Sequence, residues 1–261
     1  MNKLNIDKYI ERIGFSGDIE ISVECFKELH KCHVMSIPFE AIDVELGRHI
    51  DLNLDKIFNK VVINNRGGYC YELNFLFQKL LTKVGFESYL ISASIFDNEK
   101  FGPEYDHMAV VVKLDDFWLA DVGYGDLFIK PLQIKSGIQQ TDELKIYEIK
   151  EPKLNEYILT ESLKDKMEFR VKYKFNISPK KVQDFEEQNE WKQSAKESYF
   201  VNNRICTLPS KNGRKTILNN TYKVKANGQI EKQLIDEETR LKEILKNEFR
   251  IVIENTPYNK A

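Results

Sequence analysis

Three residues of this sequence have the types and the order that nucleophilic acyl chemistry requires: Cys70, His107 and Asp121. A cysteine attacks as the thiolate, so it needs a base that takes its proton, and the base needs a carboxylate that orients it. Each residue alone is ordinary, because buried inert cysteines are common and an aspartate before a glycine-rich stretch often forms a turn. Taken together, the three predict a Cys-His-Asp triad.

Cys70 follows a pair of glycines in the segment RGGYCYELN. From Leu73 to Val84, apolar residues recur at the spacing of a helix with one buried face, and Gly85 marks its end. The sequence therefore places Cys70 in the first turn of this helix. Unpaired N–H groups and the positive end of the helix dipole favour a thiolate there, and Arg66 adds a nearby cation.

His107 and Asp121 lie at the open end of one predicted hairpin, whose strands are HMAVVVKL and FWLAD. A two-residue turn at Asp115-Asp116 would leave the two side chains on opposite faces, because side chains alternate along a strand. A three-residue loop or a β-bulge shifts the pairing by one residue and brings Asp121 diagonally beside His107. The triad therefore requires one of these two irregularities.

The composition excludes several classes of protein. A chain of 261 residues with 42% hydrophobic residues can bury a large core without disulfides. With 39 Lys and Arg against 41 Asp and Glu, it lacks the basic excess of a dedicated nucleic-acid binder. The N-terminus is polar, and no stretch approaches the roughly 20 apolar residues of a membrane helix. We expect a soluble, cytoplasmic protein that binds neither nucleic acid nor membrane.

The cysteine and glycine patterns exclude further chemistry. No CxxC pair occurs among the four cysteines, so neither a disulfide framework nor a zinc ribbon is predicted for Cys25, Cys32, Cys70 and Cys206. His30 and His33 lie near the first two cysteines in a helical stretch, but their spacing is not that of a usual metal site, and we predict no metal. The sequence also lacks the phosphate loop GxxxxGK[ST], the zinc helix HExxH and the nucleophile elbow GxSxG.

The apolar periodicity divides the chain into three segments that pack into one body. Residues 1–85 have helical spacing, and residues 86–198 alternate as antiparallel strands of a compact sheet or barrel do. A helix is predicted at about 179–198, with Ser178 as its N-cap and proline at its first position. Residues 199–261 contain two strand pairs with Asn-Gly turns and a final helix.

Four segments, SIPFE, RGGYCYELN, DHMAVVV and LADVGYG, resemble those of the arylamine N-acetyltransferases. Their order and spacing match over most of the chain, and the stretch from Phe200 to Cys206 resembles a further family segment. The resemblance implies an α+β fold with an N-terminal helical bundle, a central antiparallel β-barrel and a C-terminal α/β lid around a cysteine-protease-like core. It also implies that Cys70 accepts the acyl group, that His107 is the base and that Asp121 orients it.

The same resemblance implies supporting residues. Arg66 and Glu40 would form an ion pair, and the pocket for the acceptor would be lined by Phe39, Tyr124 and Phe200. The N–H groups of Cys70 and Tyr71, at the helix start, could hold the oxyanion. Gly123 and Gly125 would let a substrate or cofactor pass close to the backbone.

The activity implied by the family is transfer of an acetyl group from acetyl-CoA to an aromatic amine or hydrazine, by a ping-pong route through an acetyl-thioester. Two departures stand out. Ala41 occupies a position where the family usually has Asn, which affects a local hydrogen bond near Glu40, and Tyr124 stands where Phe is frequent, which affects acceptor preference.

Two other functions are compatible with these residues. The chain could be a related Cys-His-Asp enzyme, such as an amide synthase or a thiol hydrolase, since these share the acyl-thiol intermediate. It could also be a catalytically silent binding protein with the same fold, although all three triad residues are present. The preferred acceptor, the CoA phosphate contacts and the oligomeric state are not predicted.

Overall fold

Helices form the N-terminal part of the chain around a central helix that begins at Cys70. The computed structural model describes residues 4–97, 99–142, 145–164 and 168–253. The first elements along the chain are α1 (Ile6–Ile13), α2 (Val23–Ser36), the short strand β1 (Phe39–Glu40), α3 (Ile42–Glu45), α4 (Leu54–Phe58), a π-helical turn (Asn59–Ile63) and α5 (Cys70–Lys83).

Helix α5 is buried on more faces than its apolar spacing predicts. Its polar residues Glu72, Asn74 and Gln78 are buried together with its leucines and phenylalanines. Each of these polar side chains has a hydrogen-bond partner, which removes most of the cost of burying it. The helix is therefore enclosed by the rest of the molecule, with its first turn inside.

The middle of the chain forms an eight-stranded antiparallel sheet within the described residues, in the order β5-β4-β3-β2-β9-β8-β7-β6. The Gln140 side chain bonds the backbone of Gln133 and so connects the two end strands into a nearly closed barrel. This confirms the predicted fold class. The strands are β2 (Glu87–Ile95), β3 (His107–Lys113), β4 (Phe117–Ala120), β5 (Leu132–Gln133), β6 (Gln139–Asp142), β7 (Lys145–Lys153), β8 (Glu156–Leu163) and β9 (Arg170–Phe175).

The β3-β4 hairpin has the register that the triad requires. Lys113 pairs with Phe117, so the connecting loop has three residues, 114–116. Val110 pairs with Ala120, and Asp121 follows at the end of β4. The predicted offset of one residue is confirmed, and it puts Asp121 on the same face as His107.

The link between the barrel and the C-terminal part starts its helix later than predicted. Lys180 still pairs with the inner strand β2, where its N–H donates to the carbonyl of Leu90 at 2.9 Å. A 3-10 turn (Val182–Phe185) then leads into α6 (Glu186–Ser194), and Asp184 accepts from the N–H of Lys181 at the start of that turn. The prediction of a helix capped by Ser178 was therefore wrong, because backbone pairing to β2 extends past it.

The C-terminal part builds a second sheet that includes a strand from the N-terminal part. After α7 (Tyr199–Asn202) come β10 (Ile205–Ser210), β11 (Gly213–Leu218), β12 (Thr221–Ala226), β13 (Gln229–Leu234) and α8 (Glu238–Phe249). Strand β1 lies at one edge of this sheet, between β10 and the loop that contains Gly68. The glycine-rich loop before Cys70 is thus attached to the C-terminal sheet.

The three-segment division with boundaries at 85 and 198 stays a prediction, and residues 254–261 of its last segment lie outside the described ranges. Every helix in the described part of the chain is too short or too polar to span a bilayer.

Candidate active site

His107 and Asp121 form a buried pair at the end of the β3-β4 hairpin. Nε2 of His107 lies 2.7 Å from Oδ2 of Asp121, and both residues are almost completely buried. The other carboxylate oxygen accepts hydrogen bonds from Nδ2 of Asn74 at 2.9 Å and from the N–H of Gly123 at 3.1 Å. Asp121 is therefore held on both oxygens, with one of them aimed at the imidazole.

The surroundings of His107 favour its protonated form. Burial alone would lower its pKa, but the charge of Asp121, the hydrogen bond to Asp121 and the Cys70 sulfur outweigh burial and raise the pKa of His107 to about 10. The imidazole can therefore hold a proton in a site from which water is excluded.

Cys70 lies at the start of α5, close enough to His107 for its sulfur to help raise the pKa of that residue. Because Asp121 occupies Nε2, the ring nitrogen left for the thiol is Nδ1. The loop after Asp121 packs directly on the backbone of Cys70: a Cβ at Gly123 would lie 2.8 Å from Cα of Cys70 and 2.7 Å from Nδ2 of Asn74. Only glycine fits at this close approach.

The first turn of α5 has an unusual N-cap. Tyr69, the cap residue, directs its hydroxyl to Asn189 rather than to the helix, and Oε2 of Glu72 accepts from the N–H of Tyr69 at 3.2 Å. The carboxylate therefore satisfies the N–H of the cap residue and not those of Cys70 and Tyr71. These two N–H groups are left pointing out of the helix start, where an anion is favoured.

Near the start of α5 lie five charged side chains, four of them buried and Lys60 half-buried, which we call the ion network. Nη2 of Arg66 lies 2.8 Å from Glu40 and 3.0 Å from Asp43. Nζ of Lys60 lies 2.8 Å from Asp43 and 2.8 Å from Glu72. The predicted pair of Arg66 and Glu40 is thus present, and it continues through Asp43 and Lys60 to the residue that bonds the N–H of Tyr69.

The two cations of the ion network, Lys60 and Arg66, keep their protons. Burial would lower the pKa of Lys60, but the nearby Glu72, Glu40 and Asp43 carboxylates outweigh it and raise that pKa. In the same way, Glu40 and Asp43 outweigh burial and raise the pKa of Arg66. Both cations therefore stay charged across the ordinary pH range, whereas burial raises the pKa of Glu72.

Aromatic side chains surround the triad. The rings of Tyr124 and Tyr173 each lie 5.5 Å from the His107 ring, and the rings of Phe39 and Phe200 lie 6.2 Å from each other. The structure thus places Tyr124 against His107, and it puts Phe39 and Phe200 in one cluster. Tyr173 was missed as a site residue, because its position in an alternating strand predicts only core.

The Gly125 loop is held by the C-terminal sheet. Its φ of +95° favours glycine, and a Cβ there would lie 3.1 Å from the Phe39 ring. Arg214 donates to the carbonyl of Gly125, and its Nε lies 3.2 Å from Asp126. A cavity of about 20 Å³ lies between Phe39, Asp121, Gly125 and Arg214, which is room for one water molecule.

Several contributors to the site carry no recognisable signal in the sequence. Lys60 contacts Glu72 across 12 residues, with the π-helical turn placing it, and His30 contacts Asp121 across 91 residues. Asn74 could have been found, since it stands on the same helix as Cys70 at a spacing of four. Within the described ranges, no group of three or more His, Cys, Asp or Glu side chains is arranged to hold a metal ion.

Comparison with known proteins agrees with this geometry. A family model described as N-acetyltransferase matches residues 22–257. Arylamine N-acetyltransferase 1 of Bos taurus is 27% identical over 276 residues, which cover 96% of this chain and 95% of the relative.

Two solved structures share the fold. An arylamine N-acetyltransferase from Salmonella typhimurium has a TM-score of 0.90 at 24% identity and covers 100% of this chain and 96% of its own. The Mycobacterium marinum arylamine N-acetyltransferase in complex with CoA has a TM-score of 0.85 at 21% identity, with 95% and 93% covered. Because the family match spans most of the sequence, the chain belongs to the arylamine N-acetyltransferase family and is an acetyltransferase.

Proposed function

We propose that this enzyme transfers an acetyl group from acetyl-CoA to the nitrogen of an arylamine or arylhydrazine, by a ping-pong route through an acetyl-thioester on Cys70. The observation that carries the proposal is the contact chain from Cys70 through His107 to Asp121 at a helix start. The bovine relative is named for arylamine acetylation, and a related fold is known with CoA bound.

In the resting site His107 holds the proton that the Cys70 thiol has given up, and in the first half-reaction the thiolate attacks the carbonyl carbon of the acetyl thioester. The carbonyl oxygen becomes an oxyanion, for which the N–H groups of Cys70 and Tyr71 are the available donors. The bond from carbon to the CoA sulfur then breaks, and the CoA thiolate takes the proton from His107. Asp121 keeps the imidazole in the productive orientation throughout.

In the second half-reaction, the neutral amine attacks the acetyl group on Cys70. The new C–N bond forms as the C–S bond to Cys70 breaks, and His107 takes a proton from the attacking nitrogen. Aromatic amines are weak bases, so their nitrogen is neutral and nucleophilic near pH 7. This chemistry needs no group beyond the triad and the oxyanion donors.

Both substrates reach Cys70 past the aromatic residues and the glycine loop. Phe39 and Phe200 form one apolar cluster and Tyr124 lies against His107, which supports all three as walls for an aromatic acceptor. The loop with Gly123 and Gly125 packs on Cys70 and on Phe39, so a donor that reaches the thiol passes this loop. We propose that the loop forms part of the donor cleft.

Loading of Cys70 tests the proposal. Incubation with acetyl-CoA alone should add one acetyl group by intact mass, and a subsequent arylamine such as aniline should remove it as acetanilide. Cys70→Ala should stay unmodified, whereas Cys25→Ala, which removes a half-buried cysteine of α2, should load as the wild type does. Absence of the adduct, or its survival in Cys70→Ala, would contradict the thioester route.

The same experiment separates the alternatives. A thiol hydrolase would release acetate from the adduct at the same rate with and without the amine. A silent binding protein would bind acetyl-CoA without forming the adduct.

A further inference from the structure

The loop from Asp121 to Ile129 carries the triad carboxylate at one end and the pocket residue Tyr124 inside it. One buried side chain of α2 contacts both ends of this loop. Nε2 of His30 accepts from the N–H of Asp121 at 3.2 Å, and Nδ1 of His30 lies 2.8 Å from the carbonyl oxygen of Ile129. A single imidazole thus holds two backbone positions that are separated by the whole loop.

These two contacts determine the proton on the ring. A carbonyl oxygen only accepts hydrogen bonds, so Nδ1 of His30 must carry the hydrogen, and an N–H only donates, so Nε2 must be bare. The imidazole is therefore neutral. This agrees with its surroundings, since burial lowers the pKa of His30 to about 4 against smaller opposing effects of Ile129 and Asp121.

The ring itself is fixed by aromatic neighbours. It stacks on Phe128 with centroids 5.6 Å apart and meets the edge of Phe77 at 5.8 Å. Phe128 belongs to the loop and Phe77 to α5, so His30 fills the space between the loop and the helix that begins at Cys70. Packing fixes the position of the ring, and the hydrogen bonds of its two nitrogens hold both ends of the loop against it.

We propose that His30 is a positioning residue for the triad, which acts through the backbone of Asp121. The carboxylate of Asp121 is aligned on His107 only if its own Cα stays in place, and the hydrogen bond to Nε2 of His30 holds the adjacent N–H. This inference rests on the proposed function, because it assigns to His30 an effect on the chemistry of Cys70 and His107. His30 itself touches neither substrate nor reacting atom.

Helix α2 supplies a matched control one turn further along. His33 is as buried as His30 and also meets the Phe77 ring, at 5.2 Å, but its Nδ1 lies 2.9 Å from the hydroxyl of Tyr9 on α1. Substitution of either histidine removes a buried hydrogen bond from the same core. Only the substitution at position 30 removes bonds to the Asp121 loop.

The experiment compares His30→Phe, His30→Gln and His33→Phe in steady-state acetyl transfer, at a temperature where unfolding curves show each variant folded. Phe keeps a ring but loses both hydrogen bonds, whereas the Gln amide can still donate and accept. We expect His30→Phe to lose about 10- to 100-fold in kcat, the range that a small misplacement of reacting groups produces, with KM for acetyl-CoA unchanged. His30→Gln should recover part of the loss, and His33→Phe should stay within about threefold of the wild type.

Three results would overturn the proposal: wild-type kcat in folded His30→Phe, an equal loss in His33→Phe, or no recovery in His30→Gln. If His30→Phe does not fold, nitrogen-15 NMR of the wild type decides, because the proposal requires a neutral His30 with hydrogen on Nδ1 and a bare Nε2. Wild-type protein that fails to load Cys70 from acetyl-CoA would instead contradict the proposed function. Normal loading with normal His30→Phe kinetics would contradict only the role of His30.

Discussion

Two buried polar regions flank the start of α5, and they satisfy their carboxylates in opposite ways. In the ion network, Glu40, Asp43 and Glu72 are balanced by the cations Lys60 and Arg66. At the triad, the carboxylate of Asp121 is held by neutral donors in addition to His107. The first region is built from full charges, whereas the second has a single carboxylate with one titratable partner.

This difference assigns a supporting role to the ion network and the proposed chemistry to the triad. The cations of the ion network keep their protons, so that network can hold the cap of α5 without taking part in proton transfer. Because the other donors around Asp121 are neutral, the proposed mechanism has His107 as the group that exchanges a proton with Cys70. We therefore expect damage to the ion network to appear mainly as lost stability, and damage to the triad mainly as lost rate.

The largest expected effect is that of Asp121→Asn on the rate. The amide can no longer hold His107 in the productive tautomer, so kcat should fall about 10⁴-fold, as in other triads whose carboxylate is neutralised. That loss corresponds to roughly 5 kcal/mol in the activation free energy. Steady-state acetyl transfer measures it.

The double variant Asp121→Asn/His107→Gln tests whether the two residues act as a unit. Its kcat should be no lower than that of the less active single variant, because the losses caused by substitutions within one triad do not add. Multiplicative losses would show that Asp121 acts independently of His107.

A smaller effect, on stability, is expected in the ion network. Lys60→Met leaves Glu72 buried without a cation and should lower the free energy of unfolding by about 3–5 kcal/mol. Adding Glu72→Gln removes the unpaired charge, keeps an acceptor for the N–H of Tyr69, and should restore part of the loss. Denaturant unfolding measures both, and kcat of the folded variants should stay within about tenfold of the wild type.

The exposed pair of His49 and Glu190, 3.0 Å apart, serves as the control. Glu190→Gln should change the free energy of unfolding by less than about 0.5 kcal/mol, because exposed pairs are screened by water. If Lys60→Met lowers the free energy of unfolding by no more than Glu190→Gln does, the ion network stabilises the fold no more than an exposed pair.

The smallest expected effect is a pH dependence that only the triad shows. A free histidine has a pKa of about 6.5, and Asp121 raises that of His107 to about 10 against burial. The stability from this pair is thus fully present below about pH 6.5 and is lost as the pH rises toward 10, by roughly 1–3 kcal/mol. The difference in unfolding free energy between wild type and Asp121→Asn should shrink over that window.

Lys60 provides the contrast over the same pH range. Its pKa is raised above the ordinary lysine value, so the difference between wild type and Lys60→Met/Glu72→Gln, which has no unpaired carboxylate at position 72, should stay constant from pH 6.5 to 10. Equal pH dependence in both comparisons would remove the distinction between the two regions.

Local patterns in the sequence predict the triad and the order of helical and strand segments, and the fold class follows from the family resemblance. Alternation along β3 and β4 decides which residues share a face, so the hairpin loop could be inferred from His107 and Asp121 alone. His30 reads as a mid-helix core residue, because its contact with Asp121 spans 91 positions and follows no local period. The start of α6 was misplaced for a related reason: Ser178 and Pro179 form a good local helix start, but pairing of Lys180 with Leu90 prevails.

The three-residue loop after β3 also limits how this chain can change in length. Insertions and deletions normally accumulate in surface loops, since these tolerate them best. Here, the loss or gain of one residue between Lys113 and Phe117 leaves Asp121 on its face only if Lys113 still pairs with Phe117, whereas a slip of the pairing by one residue would turn Asp121 to the opposite face of the barrel wall. In a library of loop-length variants, we expect the active members to be those that keep this pairing, so that selection acts on the register of the hairpin.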